Sequence, residues 1–245
     1  MPNSRSVPFY YSAVPDANSV PAPVTVLRPA ISGTDAHFGT TVAARLTATY
    51  SKPGDLLVAL DHEDATALAA IWLGRRAALI VTDRHRQEQL SQALETRLDP
   101  TRRTAARVIY APAHDRTAPL RHAPGRVHLI VAAVPEPPAD ARHDSDLHRL
   151  LSDCATAVHP RGVIALQVPS VDAAGRFSDT ITTVIAAARS AGLIYHEHLI
   201  AIRDCLYPPS AAQAARTGSP SRDISARSRT HADLLILAAP GAIYV

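Results

Sequence analysis

Short apolar runs alternate with amphipathic stretches along most of this chain. "LLVAL" (56–60), "AALIV" (77–81), "ARVIYA" (106–111), "VHLIVAA" (127–133) and "VIALQV" (163–168) have the length and continuity of buried strands. "LIYHEHLIAI" (193–202) and "ADLLILAA" (232–239) complete a set of seven. Between them lie helical patterns. "TTVAARLTATY" (40–50) has apolar residues at helical spacing, and "KPGD" (52–55) turns the chain after it. "DATALAAIWLG" (64–74) reads as a helix with Asp64 as N-cap, Gly74 as stop and Trp72 as a core residue. "RQEQLSQALETRL" (86–98), "DSDLHRLLSDCATAV" (144–158) and "SDTITTVIAAARSAG" (178–192) follow as further helices, with "HPRG" leading out of the third.

This order predicts an α/β fold: a doubly wound, mostly parallel seven-stranded sheet. Ligands of such sheets bind beyond the C-terminal strand ends, so the residues after Leu60, Val81 and Ala133 mark the candidate site. Residues 1–32, rich in Pro, Ser and Asn, read as an irregular arm, and 33–245 as a single domain. A long polar insertion at 206–230 interrupts that domain and carries Arg216, Arg222, Arg227 and Arg229.

At 245 residues and 47% hydrophobic, the chain can bury one sizeable core. It has no apolar run of membrane-spanning length and no signal-like start, which predicts a cytoplasmic protein. Cys154 and Cys205 then read as free thiols. The net charge is +3, and Lys52 is the only lysine, so nearly all positive charge is arginine. Arginine suits phosphate contacts, and Arg102, Arg103, Arg107 and the four arginines of 206–230 are candidates for them. An Arg- and Ala-rich composition also follows from GC-rich coding, and polar Ser/Arg tracts are often solvated loops.

Two clusters invite a metal. Asp61, His62, Glu63 and Asp64 sit at a strand end, but adjacent side chains rarely converge on one centre, and a solvated loop with an N-cap explains them. His196 and His198 share one face of a regular strand, yet no third ligand is evident. No metal is expected, and no Ser-His-Asp or Cys-His arrangement is legible.

"YSKPGDLLVAL" followed by "TALAAIWLGRR" resembles the first cofactor motif of the S-adenosylmethionine-dependent DNA amino-methyltransferases, "Y-S-x-P-G-D-x-V-L-D-P-F-x-G-S-G-T-T" and a helix ending "L-G-R-R". These enzymes methylate adenine N6 or cytosine N4 on a class I methyltransferase fold. "HFGTTVAARLTATY" resembles the segment preceding that motif, "VHLIVAAVPEPP" the catalytic strand and loop "D-L-V-L-x-S-P-P-Y", "LLSDCATAVHPRGVIALQV" the next helix and strand, and "HADLLIL" the closing strand. The resemblance covers residues 37–240. It implies a cofactor pocket at Ala59, Asp61, His62, Glu63, Asp64, Ala65, Thr82 and Asp83, and a catalytic loop at Ala133, Val134, Pro135 and Glu136.

Both motifs are altered. The strand-end acid is Ala59, and the glycine stretch reads Asp61 to Ala65 with no glycine, although glycine permits positive φ and close backbone approach. Thr82 stands at the ribose-binding acid, with Asp83 one residue late. Ala133 has no side-chain acceptor for a target amino group, and Glu136 cannot stack on a flipped base; only Pro135 keeps its place. The strands, by contrast, keep clean apolar patterns. The expectation is therefore a catalytically degenerate methyltransferase-like protein with a structural, regulatory or assembly role, binding a protein partner or itself. It needs no cofactor. Two alternatives stay open: an active S-adenosylmethionine-dependent DNA amino-methyltransferase with an atypical site, and a non-catalytic nucleic-acid binder.

Overall fold

The computed structural model describes residues 24–27, 40–62, 64–134, 143–169, 180–202 and 231–242. Its strands are β1 (Val24–Leu27), β2 (Leu56–Leu60), β3 (Arg76–Val81), β4 (Ala106–Tyr110), β5 (Val127–Ala133), β6 (Val158–Val168), β7 (Ile194–Ile202) and β8 (His231–Ala238). Its helices are α1 (Thr40–Tyr50), α2 (Asp64–Trp72), α3 (Arg84–Arg97), α4 (Pro100–Arg103), α5 (Ala118–Arg121), α6 (His143–Ala157) and α7 (Thr180–Ser190). The strands form one eight-stranded sheet in the order β1-β7-β8-β6-β5-β2-β3-β4. All pairings are parallel except those of β8, which runs against both β6 and β7. The predicted fold class holds, with eight strands among the described residues instead of seven.

The eighth strand falls in the segment expected to be an irregular arm, of which only Val24–Leu27 is among the described residues. Val24–Leu27 pairs with β7, setting Val24 opposite His198 and Leu27 opposite Ala201. "VTVL" is β-branched, but four residues between prolines are too short to show alternation.

Alternation sends successive strand residues to opposite faces. Leu57, Ala59, Leu129 and Val131 join one buried cluster, which includes residues of α1, α2 and α3. Val58, Leu60, Ile130 and Ala132 join a second, which includes residues of α5, α6 and α7. Both faces are covered, so the central strands are apolar throughout.

Trp72 is not a core residue: it is 65% exposed at the end of α2, although Ala65 to Ile71 are all buried. An almost wholly apolar helix offers no polar stripe to show which side faces water, so its overhanging end was illegible. "HPRG" belongs to β6 instead of a helix exit, because β6 pairs with β5 from Val127↔Val158 and then shifts register. The four-residue α4 and α5, and a 3₁₀ turn at Ala113–Asp115, are too short to carry a period. Among the described residues no helix is long and apolar enough to cross a membrane.

Polar side chains tie the framework together where strands begin. Arg75 is buried and donates from Nε to Ser51 Oγ (3.1 Å), from Nη2 to the Ser51 carbonyl and from Nη1 to the Leu73 carbonyl. It thereby joins the loop ahead of β2 to the turn ahead of β3. Gly54 (φ 89°) and Gly74 (φ 80°) meet there, the Gly54 N–H bonding the Gly74 carbonyl at 2.8 Å. Tyr50 donates its hydroxyl to Glu197, fixing the end of α1 over β7. Burial and that acceptor raise the Tyr50 pKa.

His128 lies at the β5–β6 register shift, stacked on His159 with ring centroids 4.4 Å apart and Nε2 3.4 Å from Asp55 Oδ1. Burial, outweighing Asp55, holds its pKa below the usual 6.5, with His159 and Arg76 adding to the depression. The native state thus favours neutral His128 while the unfolded chain protonates it near the ordinary value. The stability it confers is present above about pH 6.5 and is lost as pH falls below it. Urea midpoints should drop between neutral and mildly acid pH, and drop less in His128→Phe, which keeps a ring and removes the proton site. Gly162 sits in the same corner, where an added Cβ would lie 2.9 Å from the carbonyls of Val127 and His128. Gly162→Ala should destabilise by about 1–3 kcal/mol in urea unfolding.

Candidate functional site

β2 and β5 are neighbours, but the chain leaves β2 for β3 on one side and β5 for β6 on the other. The order reverses between them, which opens a crevice at their C-terminal ends. Strand ends bring three segments there: Asp61 after β2, Thr82 after β3, and the turn following β4.

Asp61 is the centre of the site. Its φ is 54°, the one positive φ of a non-glycine residue among the described residues. Its N–H donates to the Ile80 carbonyl at 2.8 Å. Its Oδ1 accepts from both the N–H and the hydroxyl of Thr82, each at 3.0 Å. Its Oδ2 lies 3.7 Å from Arg116 Nη1. Charged pairs and polar bonds surround that contact. Thr117 donates to Asp153, and Arg121 spans Asp115 (2.6 Å) and Asp153 (3.1 Å). Arg121 holds the Asp115 carboxyl below the usual carboxylate range. Arg149 of α6 donates to the His114 carbonyl at 3.3 Å. Together Asp61, Thr82, Ala113, Arg116, Asp146 and Arg149 line a cleft of about 230 Å³.

The other expected pocket residues are placed as follows. Ala59 is wholly buried within β2, a methyl in the core. His62 is also buried, and Glu63 lies outside the described residues. Asp64 is the first residue of α2 and not its N-cap; its Oδ2 accepts from Arg97 Nη1 at 2.7 Å, joining α2 to α3. A carboxylate in a first turn suits the helix dipole just as a cap does. Ala65 is buried in α2. Asp83 caps α3, its Oδ1 accepting from the Arg86 N–H at 2.7 Å. Beside it Arg84 lies 4.1 Å over the Tyr110 ring. Asp64, Asp83, His85, Arg86, Gln89 and Leu90 line a second cleft, of about 400 Å³.

At the expected catalytic loop, Ala133 ends β5 opposite Gln167, and the Val134 N–H extends that pairing by donating to the Gln167 carbonyl at 2.8 Å. Pro135 and Glu136 lie outside the described residues, as do Cys205, Arg216, Arg222, Arg227 and Arg229. Burial pushes the Cys154 thiol up to about 12, so it is no thiolate at neutral pH. The strand bearing His196 and His198 shifts register between Tyr195 and Glu197, so it is not the regular strand that the alternation argument assumed. His198 instead meets buried Asp233, Nε2 to Oδ1 2.9 Å. Among the described residues no group of three or more metal-ligating side chains assembles.

Arg116, Asp146 and Arg149 were missed from sequence. The legible signal was topological: the end of "ARVIYA" must open at the same sheet edge as the ends of β2 and β3, so "PAHDR" belonged with Asp61 and Thr82.

No protein-family model matches the chain, and no curated protein matches it. Solved structures do. A geranyl diphosphate C-methyltransferase from Streptomyces coelicolor A3(2), in complex with Mg2+, geranyl diphosphate and S-adenosyl-L-homocysteine, superposes with a TM-score of 0.52 at 16% identity, covering 82% of this chain and 78% of that one. The cyclopropane synthase MmaA2 from Mycobacterium tuberculosis gives 0.54 at 13% identity, covering 81% and 83%. Identities this low speak for the fold alone. That likeness and the strand order together identify the architecture as the Rossmann-like fold of the class I methyltransferases.

Proposed function

We propose that this chain keeps the methyltransferase scaffold without methyl transfer and acts through its surfaces, as an assembly or regulatory component binding a protein partner or a second copy of itself. Asp61 carries the proposal. A carboxylate stands where the resemblance to DNA amino-methyltransferases calls for the phenylalanine that opens the glycine stretch, whose two glycine positions hold Glu63 and Ala65 here, and it is bonded to Thr82 and faces Arg116.

These residues do not fit S-adenosylmethionine. Asp83, nearest the ribose-binding position, already serves as the α3 cap. Ala133 offers no side-chain acceptor to a target amino group. Selective change also supports the proposal, since Leu57, Leu60, Ile130 and Ile164 keep a fully buried core while the strand ends have diverged. One observation favours an active DNA amino-methyltransferase with an atypical site: the backbone at Asp61 turns through a positive φ at the strand end where the resemblance puts the cofactor loop.

Calorimetric titration with S-adenosylmethionine and S-adenosylhomocysteine separates the two. Millimolar ligand should give no binding heat; micromolar binding would overturn the proposal and turn attention to methyl transfer on DNA, with Asp83 and Glu136 as the first residues to substitute. The Asp61 backbone has its own test. Asp61→Gly and Asp61→Ala both lose the bonds to Thr82, but only glycine relieves the positive φ. The glycine variant should be the more stable by about 1 kcal/mol in urea unfolding.

A further inference from the structure

The end of the sheet opposite the crevice has a different chemistry. The parallel strands begin there, and in the spatial order β4-β3-β2-β5-β6 each start brings a cation. Arg103 closes α4 ahead of β4, Arg76 opens β3, Lys52 lies in the turn ahead of β2, Arg126 immediately precedes β5, and Arg161 sits near the start of β6. All five are exposed. Neighbouring strands lie ~4.8 Å apart, so the row spans roughly 19 Å across five strands.

Few carboxylates answer it. Asp55 accepts from the Lys52 backbone N–H and pairs with His128, while Asp99 caps α4 and pairs with Arg102. Among the described residues none of the five cations forms an ion pair with a carboxylate. Two aromatic features stand beside the row. Trp72, 65% exposed, lies two residues before Gly74, which is bonded to Gly54, itself two residues after Lys52. The stacked His128 and His159 lie near Arg126 and Arg161.

We propose that this row is a docking surface for the phosphodiester backbone of nucleic acid, on the face opposite the crevice in which ligands of this fold bind. A line of charge one residue deep matches a line of phosphates better than it matches the broad plane of a lipid surface. Four of the five cations are arginines, whose planar fork takes phosphate oxygens in pairs. An exposed indole at the flank offers a stacking face to an unpaired base. The surface does not depend on whether the crevice is active, so its failure would leave the proposed loss of methyl transfer untouched.

Fluorescence anisotropy of the full chain with a labelled DNA duplex of about 20 base pairs tests it, through the salt dependence that phosphate contacts impose. Four or five contacts should weaken binding on the order of 100-fold between about 50 and 200 mM salt. Arg76→Ala/Arg126→Ala should weaken low-salt binding at least ~10-fold and lower the salt slope by about 2. Arg84→Ala/Arg86→Ala removes the same charge at the opposite end of the sheet and should change affinity less than ~2-fold. Three results would each overturn the proposal: no binding at low salt, equal losses in the two double variants, or binding to anionic vesicles or polyglutamate as tight as to DNA.

Discussion

Burial of the sheet on both faces is the constraint from which the rest follows. With α1, α2 and α3 on one side and α5, α6 and α7 on the other, Leu57 to Leu60 of β2 and Leu129 to Ala132 of β5 are buried on both faces. A polar group placed there would lose its hydration without a partner. Chemistry is therefore driven to the strand ends, and parallel strands have two kinds of end. One gathers Asp61, Thr82, Arg116 and Arg149; the other gathers Arg76, Lys52, Arg126 and Arg161.

The two ends differ in how their charges are answered. At the crevice, carboxylates and guanidinium groups meet each other: Asp61 with Arg116, Asp115 and Asp153 with Arg121, Asp64 with Arg97. Such a site has spent its charge internally, and partly exposed pairs of this kind add little to stability. At the base, the five cations of the row face solvent. Asp61 joins the themes of backbone and charge. Its φ is left-handed, a conformation that favours glycine, and its carboxylate bonds to Thr82 across the β2–β3 gap.

Strands were the most legible part of the chain because a doubly buried strand must be a continuous apolar run, and "LLVAL" and "VIALQV" can be little else. Helices were legible in the measure of their polarity. α3 shows its buried Leu90 and Leu94 among charges, whereas α2 shows apolar residues all round, so the exposure of Trp72 could not be seen. The register shift between Tyr195 and Glu197 was equally hidden, since such a shift is decided by the partner strand. Of the crevice, Asp61, Thr82 and Asp83 could be read because a resemblance located them. Arg116 could have been placed there only by topology, through the end of β4, and Arg149 not at all, because a distant helix face leaves no trace of the cleft it lines.

β1 has a consequence for how the chain acquires its shape. This strand is made near the N-terminus, yet it lies beyond β7 at the sheet edge and pairs with residues 198–201. A ribosome delivers the halves of that ladder far apart in time. β1 must wait for β7 before this ladder can form, a long-range pairing of the kind that closes late.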